Sequence, residues 1–193
     1  MILFTKRCST AAISIILLLL IANNGFAQNN SNLPSMTIGL SGGIIGGKDI
    51  ENIFAKTPIF AFGFDASLLA LSTDKNHGSY MTLHYTMCSK NSTSENILSG
   101  GFRYVTAIDN SDLYSRDRKF IRMWGGAGVS YITANINNEN DTEVVSGSDT
   151  GFYIEAGLCI ENFSNFYLKS KQNWASVYSG WSILCGFEIM SKK

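Results

Sequence analysis

At 193 residues, with fifteen basic and fifteen acidic side chains, the chain has the length of one domain and no cationic excess with which to hold nucleic acid. Four cysteines, one of them Cys8 near the start, leave Cys88, Cys159 and Cys185 widely spaced. That odd number excludes a disulfide framework, and no CxxC or Cys/His spacing points to zinc or to another cofactor.

The first 27 residues read as a secretion signal. Lys6 and Arg7 precede the apolar run AAISIILLLLIA, which is about a dozen residues long and so falls short of the roughly 20 a spanning helix needs. Small residues in GFA then set cleavage after Ala27. The expected organisation is a signal peptide over 1–27, a short N-terminal segment over 28–35, and one domain over 36–193. Without Lys6 and Arg7 the remainder carries two more acids than bases.

Eight strand-like runs follow, separated by polar punctuation. They are predicted at about 36–46, 60–72, 79–88, 97–107, 120–132, 152–162, 165–171 and 180–190. No segment keeps a helical period; a single helical turn is expected at about 113–120. The second run, PIFAFGFDASLLALS, shows the pattern most clearly. Phe60, Phe62 and Phe64 share one parity, while Ala61, Gly63, Asp65 and Ser67 share the other. Side chains alternate faces along a strand, so the two parities are two faces. Every run splits this way, and the apolar parity contains no Asp, Glu, Lys, Arg or His.

The opposite parity is rich in Gly, Ser and Thr. It holds Asp65, Glu155, Glu161 and Glu188 against Arg103, Arg122, Lys169 and Lys171, together with His84. Leu69, Leu71, Val105, Leu184 and Met190 interrupt it. A soluble barrel would put the apolar parity inside and expose the other to water, where Lys, Glu and Gln should dominate. Small residues with a few balanced charges suit a narrow interior instead. Eight strands enclose a space that side chains fill, and closure removes the edges that lipid cannot satisfy. A charge on the lipid face costs about 2–4 kcal/mol at the midplane. The expectation is therefore an all-β, eight-stranded, antiparallel up-and-down transmembrane barrel. Its lipid-facing aromatics would be Phe60, Phe62, Phe64, Tyr85, Phe102, Tyr104, Tyr131, Phe152, Trp181 and Phe187, and its lumen would hold the paired charges.

With the termini inside, the outer loops fall at about 47–55, 90–95, 133–150 and 172–179, and the inner turns at 73–77, 109–118 and 163–164. The longest connection, from Thr133 to Thr150, is polar and acidic and is the expected place for contact with an extracellular ligand or surface. GLSGGIIGGK lacks the spacing and the following helix of a phosphate loop. The sequons at Asn91 and Asn140 are ordinary loop composition.

The signal ending GFAQ, the opening strand TIGLSGGIIGG, the glycine-aromatic strands RMWGGAGVSYI and GFYIEAGLCIENFSNFYLK, and the closing strand SGWSILCGFEI together resemble the small outer-membrane β-barrel proteins, of the OmpA/OmpX-like or "porin family" type. The chain departs from that pattern in ending IMSKK rather than on an aromatic residue. The resemblance implies export to the outer membrane, contact with its lipid, no cofactor, and a non-enzymatic envelope-structural or adhesion role. Some barrels of this kind are lipid A deacylases with a His and a Ser on a lipid-facing strand. Here His84 is followed two residues later by Thr86, both on the polar parity, so a lipid-modifying enzyme is the weaker alternative. A secreted soluble barrel holding a small apolar ligand is the other. The sequence leaves the oligomeric state and the disulfide status of the three cysteines open.

Overall fold

The computed structural model describes residues 33–54, 58–90, 93–109, 120–137, 144–161, 165–176 and 178–191. Eight strands form a closed antiparallel barrel in which each strand pairs with its sequence neighbours and the last pairs with the first. They are β1 (Met36–Gly46), β2 (Ile59–Ser72), β3 (His77–Lys90), β4 (Thr93–Asp109), β5 (Phe120–Asn137), β6 (Val144–Glu161), β7 (Phe166–Ala175) and β8 (Gly180–Ser191). One short helix, α1 (Lys48–Phe54), lies between β1 and β2. No helix among the described residues is long and apolar enough to cross a membrane, which says nothing of strands.

The alternation read from the sequence is the alternation of burial. Phe60 and Phe62 are 80% and 62% exposed, whereas Ala61 and Asp65 on the same strand are 1% and 8% exposed. A soluble sheet would bury the phenylalanines. Here the greasy parity is the outside of the cylinder. Phe102, Phe152, Phe187, Tyr85, Tyr104 and Tyr131 are exposed on it. Phe64 and Trp181 are half-buried, and the Trp181 ring lies where a Cβ on Gly46 would stand.

Glycine on the inner parity makes room for large inward rings. A Cβ on Gly157 would stand 2.3 Å from the Trp124 ring, and one on Gly101 would stand 2.7 Å from the Tyr153 hydroxyl and 2.3 Å from the Ala127 carbonyl. Only a residue without a side chain lets these rings lie flat against the wall.

β4 begins at Thr93 and β7 reaches Ala175, where loops were expected, and four further features differ from the sequence expectation. The connection from Thr133 to Thr150 is largely not a loop: β5 runs on to Asn137 and β6 starts at Val144, paired from Thr133↔Ser148 to Asn137↔Val144. Its Thr, Ile and Val residues have strand propensity despite the surrounding asparagines. Second, α1 appears in the first outer connection. Seven residues make about two turns, too few to show a period. Gly47, at φ 131°, allows the strand-to-helix corner. Third, Leu71 does not point inward. The β2–β3 register shifts between Leu69 and Leu71, so one residue is bulged and parity flips. Leu71 is 60% exposed, while Leu69 stays inside. Fourth, residues 33–35 do not lead away from the barrel. Tyr80 donates to the Pro34 carbonyl at 2.6 Å, and Leu33 joins an inner apolar cluster with Leu69, Val105, Ala107 and Trp124. The helical turn expected near 113–120, the inner turn 163–164 and the signal over 1–27 fall on or almost wholly on residues outside those described.

Candidate functional site

The closed wall carries its ionic groups inward, so the site is the lumen. It divides into layers along the axis.

The central layer is organised by Asp65 of β2. His84, its direct partner on β3, places Nδ1 on Asp65 Oδ1, and Lys169 of β7 donates from Nζ to the same oxygen. The Tyr167 hydroxyl donates to Oδ2 at 2.5 Å. The other edge of His84, Nε2, lies 3.3 Å from Glu155 Oε2 on β6. Arg103 of β4 donates from Nε to Glu155 Oε1 at 3.0 Å, and its guanidinium lies 4.7 Å over the Trp124 ring. Lys169, Asp65, His84, Glu155 and Arg103 thus form one chain across five strands. Such charge-assisted contacts are strong where water is excluded.

Toward the chain termini, Arg122 of β5 collects two acids. Its Nε is 2.5 Å from Glu161 Oε1 and its Nη2 donates to Glu188. Nη2 also meets Cys159 Sγ at 3.3 Å and Met190 Sδ at 2.9 Å. On the other side of the central layer, Lys171 Nζ donates to Ser99 Oγ at 2.5 Å and stands 4.3 Å over the Tyr153 ring. Ser99 pairs with Ser130 at 2.9 Å, and Ser130 donates to Asn173 at 2.9 Å.

All nine of the inward residues singled out in the sequence, from Asp65 to Glu188, are buried. They fall into two ion-paired groups, with Lys171 in a third, hydroxyl-rich layer. Isolated charges placed this deep would cost several kcal/mol each; opposite partners offset that cost.

Three parts of the interior escape the parity argument. Tyr80, Tyr153 and Tyr167 point inward and hydrogen-bond with Pro34, Thr82 and Asp65 respectively. The alternation itself marked them, but their aromatic character hid it. The two ends of the lumen are apolar. At the terminus end Leu33, Leu69, Val105 and Ala107 pack with Tyr80 and Trp124. At the α1 end Ile45, Ile59, Ala61, Ile97, Ile132, Ala134 and Leu184 pack with Ile50 and Phe54 of the helix. Leu69, Val105 and Leu184, which interrupted the polar parity, are members of these end clusters. Glu95 is the third omission: it is wholly buried at the α1 end.

His84 is 0% exposed, and each of its ring nitrogens faces a carboxylate. A base at the lipid surface needs a free nitrogen beside a nucleophile, and this geometry offers neither. Among the described residues no group of three or more His, Cys, Asp or Glu is placed to hold a metal ion. Cys88 and Cys159 are buried and free, and Cys185 is free on the outer face. On the inner turn, Asp74 accepts from the backbone N–H groups of Asn76 and His77 at 2.7 and 2.8 Å. Those contacts hold its carboxyl below the usual carboxylate range, the Asn76 bond first.

No profile of a known protein family matches the chain. No curated protein matches it either. Solved structures do. Neisserial surface protein A (NspA) superposes with a TM-score of 0.52 at 11% identity, covering 81% of this chain and 97% of that one. Ail, the attachment invasion locus protein of Yersinia pestis, superposes with a TM-score of 0.50 at 13% identity, covering 80% and 97%. The N-terminal β-barrel domain of Pseudomonas aeruginosa OprF gives 0.46 at 14% identity, covering 79% and 97%. The fold is that of the small eight-stranded outer-membrane barrels.

Proposed function

We propose that the chain is a non-enzymatic integral protein of the outer membrane, exported by the signal over 1–27 and anchored by the barrel of 36–193. In this reading the lumen is a structural filling, and contact with the outside is made by the β5–β6 hairpin. The observation that carries it is the reversed burial: an outer face of exposed Phe, Ile, Leu and Val around an interior of paired charges. In water such a surface would aggregate; in a bilayer it is the solvated face. Rings at the two ends of the outer face, Tyr85 and Tyr131 at one and Tyr104, Phe166 and Phe187 at the other, suit the two interfaces. The hairpin supports the second half of the proposal, since β5 and β6 pair beyond Ala175, where β7 stops. Ail, of similar fold, is an attachment invasion locus protein.

The test is fractionation of cells expressing the chain, followed by electrophoresis with and without boiling. Sedimentation with outer membranes and a heat-dependent mobility shift are expected; recovery in the soluble fraction without detergent would overturn the proposal. Trimming the hairpin over 136–145 should leave the heat shift intact and lower attachment to the surface or ligand recognised. Unchanged attachment would remove the hairpin from the contact.

A further inference from the structure

The α1 end of the lumen is closed by carbon. Ile50 and Phe54, four residues apart on one face of the helix, belong to one apolar cluster with Ile45, Ile97, Ile132 and Leu184. A helix of this length is not stable by itself and is held by that packing. Within the packing lies Glu95. Cys88 and Ala134 are its partners across the two ladders, and Ile97 is the next inward residue on its own strand. Glu95 is 0% exposed; among the described residues its Oε1 has no hydrogen-bond partner, and the Cys88 thiol lies 4.0 Å from Oε2.

β3 presents Cys88 and, two pairs toward the rim, the half-buried Lys90; no ion pair joins Lys90 to Glu95 among the described residues. The ladder partners of Glu95, Cys88 and Ala134, and its strand neighbour Ile97 belong to one apolar cluster with Ala61, Ile132 and Leu184, against which Tyr178 packs. Ile50 and Phe54 of α1 belong to the same cluster, while Asp49 of the helix accepts from the Ser179 N–H at 3.0 Å and Lys48 is exposed. Among the described residues the buried cations lie deeper: Lys171, the first of them, is bound to Ser99, four residues further in along β4.

A carboxylic acid can be accommodated among these neighbours, but an ionised carboxylate cannot without water or a cation. We propose that α1 is a proton-controlled lid: with Glu95 neutral the helix stays seated, and ionisation of Glu95 unseats it and admits water to the layer of Lys171, Ser99, Ser130 and Asn173. The sign follows from which state holds the proton. The closed lid holds it, so raising the pH opens the lid. The freed carboxylate is then drawn toward Lys90 and solvent. The device is independent of which side of a membrane the α1 end faces.

Amide hydrogen exchange over residues 48–54, in the full chain refolded in detergent and corrected for intrinsic rates, tests this between about pH 5 and about pH 9. Protection of the helix should fall about tenfold or more across that range. In Glu95→Gln, which keeps the shape and cannot ionise, protection should stay at its low-pH value throughout. A flat profile in the parent chain, or the same fall in Glu95→Gln, would overturn the proposal. A second measurement does not depend on that variant folding. In the Cys185→Ser chain, the reaction of Cys88 with a neutral maleimide, relative to a free thiol at each pH, should accelerate as the lid opens. A constant ratio would overturn the proposal equally.

Discussion

The middle of the lumen and its two ends are built on opposite chemistries. In the middle, the Asp65–His84–Glu155 chain and the Arg122 cluster tie strands together through charges that have no water to fall back on. At the ends, Ile132 with Leu184 and Leu69 with Val105 exclude water with carbon alone. The difference teaches that the polar middle is stable because its ends are dry. The caps keep the effective dielectric low, which strengthens each pair and makes each broken pair expensive.

Breaking the middle should therefore have the largest effect. Asp65→Ala strips an acceptor from His84, Lys169 and Tyr167 at once and should lower stability by about 3–5 kcal/mol in denaturant unfolding of the detergent-folded barrel. Arg122→Ala leaves Glu161 and Glu188 facing each other and should cost about as much. The triple replacement Arg122→Met, Glu161→Gln, Glu188→Gln should recover most of that loss, because the penalty belongs to the unpaired charge rather than to the missing pair. If the triple variant is as unstable as the single one, the pairing itself holds the wall.

Moving a charge to the other face sharpens the same point. Phe62→Arg places a cation on the outer surface with no partner and should cost about 2–4 kcal/mol in folding into a bilayer. At the ends the effects should be smaller. Ile132→Val removes one methyl from the α1 cap and should cost about 1 kcal/mol, read as a shift in unfolding midpoint at constant slope. The smallest effect is expected outside the lumen altogether. The Asp74 turn is present above the ordinary carboxylate range and should be lost as pH falls through the lowered value of that carboxyl, seen as faster exchange of the Asn76 and His77 amides.

The wall was legible in the sequence because its period is two and its faces differ in chemistry. Phe60, Phe62 and Phe64 against Ala61, Gly63 and Asp65 state both the strand and its polarity. The ionic groups followed from the same alternation. The caps did not, since Leu69, Val105 and Leu184 obey the alternation and break the chemistry, and one strand cannot reveal that other strands put apolar residues at the same height. Glu95 was passed over because it lies where a loop was expected; β4 begins two residues before it. α1 is too short for a period, and the β5–β6 hairpin looked like a loop because asparagine and acidic residues outnumber its β-branched ones. The bulge after Leu69 has no local signal, and it alone sends Leu71 outward.

Ser35 is bound through both its amide and its hydroxyl to the carbonyl of Ser191, and Met36 pairs with the same residue. The first and last turns of the cylinder are thus one seam, with almost the whole chain between its two sides. Seven hairpins can form as their strands emerge, but this eighth pairing is a contact of very long sequence separation and waits for β8 to be delivered. The barrel therefore closes only after its last strand has been made. Until it occurs the chain has two raw edges and a sticky outer surface, a state that has to be escorted.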